Sequence, residues 1–239
     1  MKLAVFAYNF PHRKTQEFLL RLFLEKAQVV VVLAADPVKL NIPSSTLRVK
    51  PRHGALIHPR VISERLGWRY EVVDHKSQQC ADLIKELAVD VGVIAGARIL
   101  KEPVVSAPRI GVVNFHPGLI PEVRGMDALQ WAIYENKPMG VTAHVIDERI
   151  DAGRIILRQA IATYPDDELI DLSLRLSDTE LEMLPAVLTA LAKQRLVEFP
   201  LVASSPLHRK MPPELERELP RLLAERLNQN ELATLTFAP

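Results

Sequence analysis

The 239-residue chain carries 30 Lys and Arg against 29 Asp and Glu, a formal net charge of +1. That balance leaves no surplus of cations to neutralise a nucleic-acid backbone or to dock on anionic lipid, so a tRNA-sized partner is disfavoured and a membrane partner is not expected. Cys80 is the single cysteine, which excludes an intrachain disulfide. No run approaches the ~18 apolar residues of a membrane span, and the first residues read as a strand rather than a leader; the expected location is the cytoplasm.

Short apolar runs then alternate with helical patterns. Strands are expected at 3–8, 29–34, 69–73, 91–95 and 110–114, and helices near 15–26, 60–66 and 77–87. This rhythm predicts βαβ units and a Rossmann-like α/β fold, a mainly parallel sheet with helices on both faces. Within the third helix Cys80 shares a stripe with Leu83, Ile84 and Leu87, which makes it a core thiol.

From Gly140 the rhythm changes, because runs at 141–146 and 154–160 are joined by a short Asp- and Gly-containing connection and are expected to pair or to extend the sheet. A long helix over 166–193 follows, with Leu169, Leu172, Leu176, Leu181, Leu184 and Leu188 as its apolar positions. Prolines 200, 206, 212 and 213 mark a break before a last helix near 214–227. The expected organisation is one main domain over 1–199 and a C-terminal helical extension over 200–239, with the tail or the long helix as the surface on which a homodimer could form.

Seven of the nine glycines fall between Gly92 and Gly153, so tight turns and close backbone approach concentrate there. The segment VVNFHPGLIPEVR, residues 112–124, lies inside this region. Asn114 and His116 alternate along a strand, so their side chains project from one face near its carboxyl end, where open parallel sheets bind ligands. An amide donor there can stabilise a carbonyl oxygen that gains charge, and an imidazole can donate to it or move a proton. A carboxylate such as Asp151 could orient the imidazole. Taken singly, each of the three residues is explained better by strand-end and turn hydrogen bonding.

The stretches NFHPGLIPEVRGMDALQWAI (114–133) and GVTAHVIDERIDAGRII (140–156) closely resemble the folate-dependent formyltransferases. That family includes glycinamide ribonucleotide transformylase, methionyl-tRNA formyltransferase and the amino-sugar N-formyltransferases. The resemblance implies transfer of a formyl group from N10-formyltetrahydrofolate to an amine, without a metal, with Asn114, His116 and Asp151 as the catalytic residues. It further implies a pterin pocket between the loop AGARILK (95–101) and residues 147–151. The cofactor-binding residues would be Ala95, Gly96, Arg98, Ile99, Leu100, Asp147 and Ile150.

His144, on the neighbouring strand, reads as a packed side chain rather than a second base, and Trp131 reads as a core anchor. Arg124 is expected to steady its loop. His53, His58 and His75 lack compact ligand spacing, so no zinc site is expected. Asn9, His12, Arg13 and Lys14 follow the first strand and open the first helix, a place suited to an anionic group of the acceptor or to an ordinary solvated loop.

The acceptor expected from the family branches is a small-molecule amine. Residues 7–11 read Ala-Tyr-Asn-Phe-Pro where glycinamide ribonucleotide transformylases resemble one another in a Gly-x-Gly-Ser-Asn loop. Methionyl-tRNA formyltransferases carry a C-terminal barrel, and only some forty residues follow the long helix here. An amino sugar, nucleotide-linked or acidic, is the expectation that remains. Glycinamide ribonucleotide or methionyl-tRNA formylation, hydrolysis of formyltetrahydrofolate and noncatalytic folate binding stand as alternatives. A nicotinamide enzyme is weakest, since no Gly-x-Gly-x-x-Gly follows the first strand.

Overall fold

The computed structural model describes residues 1–39, 41, 45–46, 55–147, 153–193 and 206–236, with side chains through residue 228. In chain order the elements are β1 (Lys2–Tyr8), α1 (Arg13–Leu24), β2 (Gln28–Ala35), α2 (Pro59–Arg65), β3 (Tyr70–Val72), α3 (Gln78–Glu86), β4 (Val91–Ile94), α4 (Glu102–Val105) and β5 (Gly111–His116). They continue with β6 (Arg124–Gly125), α5 (Ala128–Tyr134), β7 (Gly140–Val145), β8 (Arg154–Ala160), α6 (Leu169–Ala192), β9 (Leu207–His208), α7 (Pro213–Glu216) and α8 (Leu219–Thr236).

Seven strands form one sheet in the order β3-β2-β1-β4-β5-β7-β8. The pairs from β3 through β5 are parallel, whereas β5 with β7 and β7 with β8 are antiparallel. The two runs after Gly140 therefore do both things expected of them: they pair with each other and extend the sheet. β1 is buried continuously from Leu3 to Ala7 because both faces are covered, which explains its unbroken apolar run.

Each face has its own core. Val5, Phe18, Leu22, Val113, Phe115, Leu184 and Val187 pack on the side of α1 and α6. Phe6, Leu33, Cys80, Ile84, Val104 and Val112 pack on the side of α3 and α4. Burial pushes the Cys80 thiol up to about 12, consistent with an inert core group. His12 and Ser77 cap α1 and α3 by accepting backbone N–H bonds, and Glu168 with Asp171 forms a reciprocal cap at the start of α6.

A third cluster joins Val123, Ala128, Ala132 and Met139 to Met211, Leu219, Leu223 and Leu227, so the C-terminal helices cover α5. The helix expected over 214–227 is two helices, α7 and α8. Pro220 lies in the first turn of α8, where its missing N–H costs nothing, whereas a continuous helix would need that donor. The short elements α4, β6 and β9 were not foreseeable from periodicity; two to four residues are too few to show one. Trp131 also differs from expectation. It is a half-buried bridge rather than a core anchor, stacking on His208 at 4.5 Å and donating from Nε1 to the Arg209 carbonyl at 2.9 Å.

Candidate active site

The last residues of β5 reach the carboxyl edge of the parallel strands, and their alternation separates two environments. Val113 and Phe115 enter the α1/α6 core, while Asn114 and His116 project from the opposite face. Antiparallel pairing then sets Asn114 opposite His144 and His116 opposite Thr142. The Asn114 Nδ2 lies 3.4 Å from His144 Nε2, so a fully buried imidazole holds the amide.

His116 is 4% exposed, and its Nε2 lies 3.1 Å from the Val123 carbonyl. A carbonyl can only accept, so Nε2 carries the proton in this arrangement and Nδ1 is the basic nitrogen of the neutral ring. The turn that brings Val123 back over the ring needs a glycine. A Cβ at Gly118 would sit 2.7 Å from His116 Nε2 and 3.0 Å from the Val123 oxygen. Thr142 ties down the same turn: its Oγ1 donates to the Gly118 carbonyl at 2.7 Å and accepts from the Ile120 amide at 3.0 Å. The Ile120–Pro121 peptide bond within it is cis.

Asp151 and Ile150 lie outside the described residues. Asp147 is described and half-buried just beyond β7. In the loop after β4, Ala95 is fully buried and donates its N–H to the Phe6 carbonyl at 3.0 Å. Gly96 packs where an added Cβ would meet Thr15 Oγ1 and the Tyr8 ring at 2.9 Å. The Tyr8 hydroxyl donates to the Ala97 carbonyl, and Arg98 lies over the Tyr8 ring at 5.4 Å. Leu100 is buried, but Ile99 is 67% exposed, an apolar side chain standing out at the sheet edge.

The four residues after β1 have internal partners. Asn9 donates to Asp36 at 2.7 Å and accepts from the Tyr70 hydroxyl at 2.8 Å; His12 accepts from the Thr15 amide; and Arg13 pairs with Glu17 at 2.6 Å. Burial, helped by the nearby Lys14, pushes the His12 pKa down, so the cap stays neutral. Lys14 reaches inward, pairing with Glu180 at 2.9 Å and donating to the Phe115 carbonyl at 3.1 Å. Burial raises the Glu180 pKa against the opposing pull of Lys14.

That ion pair lines a cavity of about 960 Å³ which opens beside Pro117, the residue after His116. Asp127, Leu169, Ser173 and Leu223 complete its principal walls. Of the four residues after β1, only Lys14 lines it. Sequence reasoning did not single out Glu180, Gly118 or Thr142. Nothing in the sequence around Glu180 marks it, and only the fold reveals that it meets Lys14. Among the described residues there is no group of three or more His, Cys, Asp or Glu side chains arranged to hold a metal, and no helix long and apolar enough to cross a membrane.

The chain is similar to solved structures of this architecture. A glycinamide ribonucleotide transformylase from Symbiobacterium toebii superposes with a TM-score of 0.64 at 21% identity, covering 84% of this chain and 92% of that one. The formyltransferase PseJ from Anoxybacillus kamchatkensis, solved with a UDP-linked formamido sugar and tetrahydrofolate, gives a TM-score of 0.58 at 16% identity, covering 95% and 97%. In sequence, methionyl-tRNA formyltransferase of Chlorobium luteolum is 36% identical over 132 residues, 54% of this chain and 42% of that protein. The Geobacter sulfurreducens counterpart is 26% identical over 185 residues, so this chain spans only about half the length of these relatives, 55% in the latter case. A family model described as formyl transferase matches residues 1–188, and the chain belongs to that family.

Proposed function

We propose that the protein transfers a formyl group from N10-formyltetrahydrofolate to the primary amine of an amino sugar. One observation carries the reading: Asn114 and His116 stand on one face at the carboxyl end of β5, with His116 followed by Pro117, a residue of the wall of the 960 Å³ cavity. The exposed Ile99, flanked by buried Leu100, fits an edge on which a flat pterin would rest, with Ala95, Gly96, Arg98 and Asp147 as its further contacts. When bound, the folate supplies the formyl carbon. Asn114 donates to the formyl oxygen as it gains charge, held in orientation by His144. His116, whose Nε2 donates to the Val123 carbonyl, assists proton movement at the formyl centre, and Asp151 favours the imidazolium through its charge.

The amino-sugar acceptor is favoured by the cavity's charge. Asp127, Asp166, Asp167, Glu168 and Glu180 line it, of which Asp127 is paired with Lys210, Asp167 with Arg175 and Glu180 with Lys14. An acidic lining of this kind suits a cationic or neutral amine. The near-complete overlap with a fold neighbour solved with a formamido sugar supports the same acceptor class. Methionyl-tRNA is the second reading, favoured by the names of the sequence relatives.

Formylation assays with N10-formyltetrahydrofolate against free and nucleotide-linked amino sugars, glycinamide ribonucleotide and methionyl-tRNA decide between them. Activity confined to the last two acceptors would overturn the amino-sugar reading. Asn114→Ala is expected to lower turnover about 10²–10³-fold, the usual cost of one oxyanion donor, with His116→Ala and Asp151→Asn also severe. Near wild-type rates in two of the three would remove the catalytic assignment.

A further inference from the structure

We propose that the C-terminal segment Leu207–Met211 is a positioning element of the active site, acting on His116 through the turn that it clamps. The inference rests on the reading that His116 works in formyl transfer. The His116 ring is held by the carbonyl of Val123, which is fully buried, and the four residues that follow Val123 are gripped by this one segment.

Arg124 and Gly125 pair in parallel with Leu207 and His208. Gly125 has φ of 94°, and a Cβ there would lie 2.9 Å from the His208 nitrogen, so the two backbones approach as only glycine permits. The Met126 amide donates to the His208 carbonyl at 3.0 Å. Asp127 accepts from the Met211 amide and from Lys210 Nζ, both at 2.8 Å and both on Oδ2.

Trp131 closes the clamp from the first turns of α5. Its ring lies parallel to that of His208, 4.5 Å away, and its Nε1 donates to the Arg209 carbonyl at 2.9 Å. Met211 is then buried in the third core cluster, which anchors the segment on α5 and α8. Sheet packing places β5 and Thr142 holds the near end of the turn, whereas its far end is held by a segment more than eighty residues further along, the separation of Asp127 and Met211 being 84. Gly125 and Asp127 also line the cavity, so the clamp sets one of its walls.

Trp131 and Lys210 are therefore positioning residues. The test uses the full chain with Trp131→Phe, which keeps a ring to stack but removes the Nε1 donor, and Lys210→Met, which removes the contact to Asp127, singly and together. Lys210→Arg serves as the conservative rescue. The readouts are the imidazole ¹⁵N resonance of His116 and its pH titration in the absence of acceptor, steady-state kinetics, and thermal unfolding to verify folding. In the double variant the resonance is expected to move and kcat to fall about tenfold or more, with the KM for N10-formyltetrahydrofolate within about twofold. Lys210→Arg should restore both. An unmoved resonance in the folded variant overturns the proposal whatever the activity, and a moved resonance with unchanged kcat overturns the positioning role. Should the double variant fail to fold, the Lys210→Met single variant is judged by the same readouts. Should the wild-type chain formylate nothing, the functional reading fails while the resonance still judges the clamp.

Discussion

Gly118→Ala tests whether the turn over His116 is as tight as its geometry implies. The added methyl carbon would lie 2.7 Å from His116 Nε2, 2.9 Å from the Ala128 Cβ and 3.0 Å from the Val123 oxygen. All three distances are well inside the 3.5–4.0 Å at which heavy atoms attract, and two of the neighbours cannot rotate away. Either the imidazole turns from the carbonyl or the turn lifts. Overpacking of this kind costs about 1–3 kcal/mol of stability, and displacing a reacting group by ~1 Å can cost about 10²-fold in rate. The assay is formyl transfer at saturating donor, with thermal unfolding and the His116 imidazole resonance recorded in parallel. Gly92→Ala is the control, since its Cβ would meet the Phe6 ring at 2.7 Å and Val112 at 3.1 Å in the sheet core, touching β5 four residues before His116 and not the turn over it. It should lower stability comparably and leave the His116 resonance unchanged. If Gly118→Ala keeps wild-type kcat and an unmoved resonance, the link between this turn and the histidine is refuted.

Three further outcomes are expected. Thr142→Val should destabilise by about 1–3 kcal/mol for each buried partner left unsatisfied, because the Gly118 carbonyl and the Ile120 amide both lose Oγ1, whereas Thr142→Ser should restore stability in a denaturant titration. The Glu180 pKa is raised in the fold, so its contribution is complete below its unfolded pKa and is lost as pH rises through the folded value; the stability advantage of Glu180→Gln over wild type should therefore grow from about pH 4 upward. His75 is the mirror case. Burial lowers its pKa despite the bond from its ring to the Leu33 carbonyl at 2.8 Å, so its contribution is present above about pH 6.5 and is lost as pH falls through the folded value. Denaturant midpoints should drop on acidification with a slope of up to about 1.4 kcal/mol per pH unit, and the His75→Gln variant should lose that slope.

The parallel sheet was legible because its strands are short apolar runs between amphipathic helices, and burial on both faces produces that pattern locally. Alternation alone also set Asn114 and His116 on one face, since a strand has no other way to arrange them. What stayed hidden depends on distant parts of the chain. Nothing near Glu180 announces Lys14, and nothing near Asp127 announces Met211. The split between α7 and α8 falls just before Pro220, a residue as permissible in a first turn as at a break, so periodicity alone reads one helix there.

The concentration of glycine between Gly92 and Gly153 now has a physical content. Gly118 admits the imidazole beneath the Val123 carbonyl, and Gly125 admits the backbone of His208 from the C-terminal segment. These two glycines lie on either side of Val123, so one short turn is compressed from below by the catalytic strand and from above by the tail. Rigidity at the site thus draws on close contacts at both ends of a segment of eight residues, besides the two Thr142 hydrogen bonds that tie its near end to the sheet. Disturbing either contact, by an added methyl at Gly118 or by releasing the tail, should displace His116, and disturbing both should add little, because a turn released by the tail can relax around the methyl. A double-variant cycle between Gly118→Ala and Lys210→Met, read on kcat, should therefore be strongly less than additive. Full additivity would mean that the two contacts act on different groups, and that the turn does not transmit the tail's hold to the histidine.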